Sequence, residues 1–320
     1  MSKLSCLALV GLLVAVEVRA QQPSAGDVFR SAVEIIPLNV VVTDSRQKFV
    51  NGLAADDFAV FEDGVRQEVS YFAASEAPLD LAIVLDTSAS MTERIGFAQQ
   101  AAVGLLTTLR GRDRVMVVDV KETARIIYQL GADVAAASEA IEDTQASGGT
   151  RLFNSLYTTL KELDKERLAH KQDVRRQAIV MLSDGLDTSS LISFEDVLDL
   201  AKQSGIAVYT IVIKPQALTT RRGAAVTPTL DRSDYEMKSL AQDTGALAFF
   251  PTEARELKSV YGVIANDLAN QYSIAYTPTN ARTDGVFRRI LVRVANRPDA
   301  RARTRSGYIP RRSDRPAALR

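Results

Sequence analysis

Three short stretches of this chain end in side chains that can donate oxygen to a cation. In "AIVLDTSASMTE", residues 82–93, an apolar run reaches Asp86 and then gives way to Thr87, Ser88, Ala89 and Ser90. Farther along come Ser147-Gly148-Gly149-Thr150 and Leu182-Ser183-Asp184-Gly185. Asp86, Ser88, Ser90, Thr150 and Asp184 together form an all-oxygen set. A hard cation such as Mg²⁺ seeks near-octahedral oxygen ligands at about 2.0–2.1 Å and keeps several waters. Ser88 and Ser90 are two positions apart, so in an extended turn both hydroxyls can face one point. The two carboxylates supply negative charge, directly or by gripping metal-bound water. Such a set does not fill six positions, which leaves one for an outside oxygen donor.

Each stretch also has a purely structural explanation. Ser90-Met91-Thr92-Glu93 has the spacing of a capping box. Gly148-Gly149-Thr150 can begin a helix with Thr150 as its N-cap. Ser183-Asp184-Gly185 can be an ordinary turn after a strand. What favours the metal is that all three fall at the ends of apolar strands or at the start of a helix in the same α/β series.

That series begins at Leu79. "LDLAIVLD" (79–86) is an apolar strand, and a helical pattern follows from Met91 to Arg110. "DRVMVVDV" (113–120) and "ARIIYQL" (124–130) stand close enough for a hairpin. Helical stretches at 134–144 and 151–167 precede the strand "RRQAIVMLSDG" (175–185). A helix at 194–204, the strand "IAVYTIVIK" (206–214), a helix near 234–244, "ALAFF" (246–250) and a helix at 253–270 complete it. Alternation of this kind predicts a doubly wound, mostly parallel α/β sheet with helices on both faces. Ligands of such sheets bind beyond the carboxyl ends of the strands, where the oxygen donors stand.

On either side the rhythm is β-like. "VEIIPLNVVVTD" (33–44), "FAVFEDG" (58–64) and "QEVSYFAA" (67–74) precede the α/β series, and "QYSIAYTPT" (271–279), "FRRILVRVAN" (287–296) and "RARTRSGYI" (301–309) follow it. Neither flank has strands enough for a stable sheet, and together they reach a normal number. The expected organisation is therefore one small β-sandwich, residues 28–77 plus 271–310, with the α/β domain at 78–270 inserted in it. Residues 297–320 carry eight arginines against two aspartates, and 311–320 is expected to be a basic disordered tail. Residues 1–20, with Lys3, an apolar run from Leu4 to Val16 and Val18-Arg19-Ala20, have the form of a secretory signal peptide. The expected location is exported, periplasmic or extracellular.

The DxSxS of Asp86, Ser88 and Ser90, the downstream Gly-Gly-Thr and the strand-end Ser-Asp-Gly resemble the metal-ion-dependent adhesion site of von Willebrand factor type A domains. The resemblance spans about residues 78–268. The flanks, with "DFAVFEDG" before and "DGVFRRILVRV" after, resemble the exported bacterial proteins called VWFA-related. It implies a von Willebrand factor A, Rossmann-like fold. It further implies that Ser88, Ser90 and Thr150 coordinate Mg²⁺, with Mn²⁺ or Ca²⁺ as other ions, while Asp86 and Asp184 act largely through water. A carboxylate from a protein partner would complete the shell. Ala89 stands where glycine is common, and Thr92-Glu93-Arg94 replaces the paired aspartates of integrin β subunits, which puts an adjacent regulatory ion in doubt.

Several chemistries lack their parts. Charge is balanced, 39 basic against 39 acidic residues, so the chain as a whole has no bias toward nucleic acid. His170 is the only histidine and lies in a charged connection, and Cys6 is the only cysteine. The usual zinc sites and a serine-histidine-aspartate triad are therefore not expected. No P-loop motif occurs. A metal-dependent phosphohydrolase would need a general base, for which Asp187 is the nearby candidate. The stretch "PQALTTRRGAAVTPTLDR" is long for a loop and is expected to rise on the metal rim, where Arg221 and Arg222 could engage an acidic partner. The sequence thus leads to a non-enzymatic, metal-dependent binding protein. A structural module of an envelope assembly is the main alternative, with the hydrolase behind it.

Overall fold

The amino-terminal flank supplies four strands, β1 (Ile36–Thr43), β2 (Phe58–Glu62), β3 (Val65–Gln67) and β4 (Val69–Ala74). The alternating part follows: β5 (Leu79–Asp86), α1 (Ile95–Leu106), β6 (Arg114–Val120), β7 (Ala124–Gly131), α2 (Val134–Glu142), α3 (Leu152–Ala169) and β8 (Arg176–Ser183). It continues through α4 (Phe194–Ser204), β9 (Ala207–Val212), α5 (Arg232–Asp243), β10 (Ala248–Phe249) and α6 (Leu257–Ala269). The chain then returns to β11 (Gln271–Tyr276), β12 (Arg288–Val294), β13 (Arg301–Arg303) and β14 (Gly307–Tyr308). The computed structural model describes residues 35–74, 77–170, 175–184, 187–213 and 231–311. The expected signal peptide, Arg221, Arg222 and residues 312–320 lie outside these.

The central sheet has the order β10-β9-β8-β5-β6-β7. All neighbours are parallel except the β6–β7 hairpin. Every residue of β5, β8 and β9 is buried, as strands covered on both faces must be, which is why they read as unbroken apolar runs. Side chains alternate between the faces. Leu81, Ile83 and Leu85 meet α1, α2 and α6 on one side, and Ala82 and Val84 meet α3, α4 and α5 on the other. Strand order reverses at β5, whose neighbours are β6 and β8. The carboxyl ends of β5 and β8 therefore flank the crevice where such sheets take ligands.

The flanking strands form two four-stranded sheets, β13-β1-β11-β4 and β14-β12-β2-β3. Both take strands from either end of the chain: Ile36 pairs with Tyr276, and Val60 with Val292. The two sheets share one apolar core that includes Leu38, Val40, Phe58, Tyr272, Ile274 and Ile290. The stretch at 301–309, which reads as one strand, is two. Arg301–Arg303 pairs with β1 and Gly307–Tyr308 with β12, so the chain crosses between sheets at 304–306. Gly245 permits that crossing: with φ of +80° it lies against the backbone of Thr304 and Arg305, where a Cβ would come within 2.4 Å of the Arg305 nitrogen.

The expected tail is anchored at its first residue. The Arg311 guanidinium donates to both carboxylate oxygens of Asp164 in α3, at 2.5 and 2.6 Å. The arginines that gave this end its basic character also have local work. Arg303 pairs with buried Asp267 of α6, and Arg305 donates to the Pro37 carbonyl at 2.9 Å. Charge that reads as a solvated run is partly engaged with carbonyls and carboxylates of other elements. Among the described residues no helix is long and apolar enough to cross a membrane.

Candidate metal centre

Asp86 closes β5 and is fully buried. Its Oδ1 accepts the Ser88 backbone N–H at 2.9 Å, and its Oδ2 accepts the Ser183 hydroxyl at 2.5 Å. The first bond turns the chain back so that Ser88 and Ser90 present their hydroxyls together, 3.0 Å apart. Burial pushes the Asp86 carboxyl up from its ordinary range; the bonds from Ser183 and Ser88 oppose this, and the nearby charge of Asp184 adds to the rise. Two buried carboxylates that repel each other at a strand switch point are what a cation would relieve.

The loop carrying Thr150 is tied to the serine loop through the backbone. Ser147 N–H donates to the Thr87 carbonyl at 2.8 Å, and Ala89 N–H to the Gly148 carbonyl at 3.0 Å. The loop after β8 is tied in turn to Thr150, whose carbonyl accepts from Thr188 N–H at 3.1 Å and from its hydroxyl at 3.0 Å. Ser88, Thr150 and Asp184 are buried, as Asp86 is, and Ser90 is exposed. Three loops, spread over about a hundred positions of the chain, thus share one rim.

The structural explanations of the motif do not hold for two of the residues. Ser90 caps no helix: α1 begins at Ile95 behind Arg94, and Ala89–Met91 forms a short 3₁₀ turn. Thr150 is not the N-cap of α3 either, because Arg151 occupies that place without a side-chain bond. The start of α3 is satisfied from elsewhere. Gly149, Thr150, Arg151 and Leu152 direct their N–H groups to Glu122 Oε1, the Thr188 hydroxyl, the Lys121 carbonyl and Asp187 Oδ1. The Thr150 hydroxyl makes no hydrogen bond among the described residues, which leaves it available.

Asp187 has a role that its place in the sequence does not announce. Its carboxylate takes Leu152 N–H at 2.8 Å and the Ser190 hydroxyl at 2.7 Å, so it caps α3 across the loops. His170, at the end of α3, is exposed. Three residues outside the motif also support the rim: Thr87, Asp119, which accepts the Thr87 hydroxyl, and Glu122. A signal was present, since Asp119 is a third carboxylate near the end of a parallel strand beside Asp86.

Residues 81–186 match a family model described as von Willebrand factor type A domain. The chain carries a von Willebrand factor type A domain. Solved structures similar to it include an aerotolerance-related membrane protein from Bacteroides fragilis NCTC 9343, at 16% identity and a TM-score of 0.46, covering 59% of this chain and 98% of that one. Another is a von Willebrand factor type A protein from Catenulispora acidiphila, at 13% identity and a TM-score of 0.49, covering 88% of this chain and 76% of that one. A third is proximal thread matrix protein 1 from the mussel byssus, with a zinc-occupied MIDAS motif, at 14% identity and a TM-score of 0.47, covering 63% of this chain and 48% of that one. No curated protein matches the chain.

The donor set of this A domain suits a hard divalent cation. Among the described residues no group of three or more His, Cys, Asp and Glu is placed to hold a metal, so the rim offers hydroxyls backed by two carboxylates. Zinc favours nitrogen and sulfur ligands, whereas Mg²⁺ takes hydroxyl and water oxygens with carboxylates nearby.

Proposed function

We propose that this is an exported, non-enzymatic binding module whose A domain, residues 78–270, is inserted in a β-sandwich of residues 28–77 and 271–310. Ser88, Ser90 and Thr150 would hold Mg²⁺, with Asp86 and Asp184 drawing its water shell inward. Bound there, the ion offers a Lewis-acidic position to a carboxylate of a protein partner. The observation that carries this reading is a pair of bonded serine hydroxyls next to two buried carboxylates, on a loop tied by backbone bonds to the one that carries Thr150, whose hydroxyl bonds to nothing described. Such hydroxyls would otherwise be expected to find partners.

Asp187, the candidate base of the hydrolase alternative, accepts from Leu152 N–H and the Ser190 hydroxyl, which supports a helix-capping role for it and so favours the binding reading.

Calorimetric titration of Mg²⁺ into the mature chain tests the proposal. We expect heat of binding and a rise in melting temperature equivalent to about 2.7 kcal/mol at a hundredfold excess over Kd. Asp86→Ala should abolish both. No heat and no Mg²⁺-linked rise in the unaltered chain would refute the reading. Partner capture from the organism's own envelope, with Mg²⁺ against EDTA, then asks whether the bound protein presents an acidic group.

A further inference from the structure

The end of β6 and its turn into β7 touch both loops of the proposed cation site, and none of these residues belongs to the donor set. On one side they hold the serine loop. Thr87, between Asp86 and Ser88, gives its hydroxyl to Asp119 and its N–H to the Val120 carbonyl at 3.1 Å. Asp119 is steadied in turn by Lys121, 3.6 Å away. On the other side the turn holds the threonine loop at two points that bracket Thr150. Gly149 N–H donates to Glu122 Oε1 at 2.9 Å, and Arg151 N–H to the Lys121 carbonyl at 3.0 Å. The Glu122 carboxylate also lies against the α-carbon of Gly148, where a Cβ would fall 2.2 Å from Oε1. The end of β6 and its turn therefore span the gap between the serine loop and the threonine loop.

We propose that Glu122, with Asp119 as its counterpart on the serine side, is a positioning residue that fixes the separation of the two loops and so sets which ion the site prefers. This rests on the cation reading given above. The physical basis is the difference between the two common hard cations. Mg²⁺ demands oxygens at about 2.0–2.1 Å in a near-octahedral array, whereas Ca²⁺ accepts six to eight at roughly 2.3–2.6 Å in looser geometry. Ser147 and Ala89 already join the two loops through the backbone on the Gly148 side, and the hairpin adds a hold on each side of Thr150. Without the Glu122 bond the Gly149 side of Thr150 gains play, which harms the small ion more than the large one. Residues that orient ligands from behind typically change metal affinity by about 10- to 100-fold.

The test titrates Mg²⁺ and Ca²⁺ separately into the mature chain and into Glu122→Ala and Glu122→Gln. In the alanine variant Mg²⁺ affinity should fall by about 10-fold or more and Ca²⁺ affinity by less, so the preference for Mg²⁺ shrinks. Glutamine keeps an oxygen for Gly149 N–H without the charge and should retain most of the preference, which separates a tether from simple attraction of the cation. Melting in EDTA should be nearly the same for all three, because Glu122 is exposed. Equal losses for both ions, or none, would overturn the inference and leave the cation site standing. Absence of Mg²⁺ binding in the unaltered chain would overturn both. If the alanine variant does not fold, Glu122→Asp, too short to reach Gly149, replaces it in the same comparison.

Discussion

Gly148 shows how one residue can serve backbone and site together. Its φ of +74° belongs to the left-handed region, and its carbonyl accepts from Ala89 in the serine loop. An alanine there would be strained by about 1–2 kcal/mol and would press on the Glu122 carboxylate. Gly148→Ala should therefore lower the melting temperature in EDTA and weaken Mg²⁺ binding further, as seen by paired melting and titration. Gly104 is the control, an exposed glycine in α1 with open space where a Cβ would stand and no positive φ. Gly104→Ala should be neutral or stabilising by up to about 1 kcal/mol, because alanine is the better helix former. At this scale Asp86, Ser88, Ser90, Thr150 and Asp184 stand out as candidates from residue type and strand position. Glu122 does not, because an acid in a hairpin turn looks like any solvated charge until the turn is seen to reach another loop.

Among the elements, α3 carries the clearest electrostatic signature. Burial raises the Asp164 carboxyl, but the guanidiniums of Arg311 and Arg167 outweigh it and hold the group below its usual 3.8. A folded-state value lower than the unfolded one means that the pair stabilises the fold above the unfolded value, and that the contribution fades as pH falls through the folded one. Arg311 is partly exposed, so the pair is worth about 1 kcal/mol or less. Arg311→Ala should lower the urea midpoint at pH 7, and the difference from the unaltered chain should narrow below about pH 4. An equal deficit at both pH values would assign the loss to packing of the arginine stem instead. The helices and central strands themselves were legible, since unbroken apolar runs and 3.6-residue periodicity leave few alternatives. Their ends were less so: α1 starts at Ile95 rather than Met91 because Asp86 and the serine loop hold 87–91 in a tight turn.

Over the whole molecule, the two ends of the chain depend on each other. β1 lies between β11 and β13, and β2 lies between β12 and β3. Removing residues 271–320 strips β1 and β2 of carboxyl-side neighbours and opens the core around Phe58 and Tyr272, whose rings stand 5.1 Å apart. In that truncated chain residues 35–74 should become sensitive to limited proteolysis while the intact protein resists, with cleavage sites mapped by mass spectrometry. Protection of 35–74 after truncation would show that the amino-terminal flank folds alone. The sequence by itself determined the class of the central sheet, the helical faces and the strand-end or loop position of the five candidate donors, because burial on both faces and strand-end position leave marks in local pattern. Only the tertiary structure decided that 301–309 splits between two sheets, that Asp187 caps a distant helix, that Arg311 pairs with Asp164 of α3, and that a hairpin turn spans the candidate site. Each of these depends on contacts between residues far apart in the chain, and no local periodicity records such contacts.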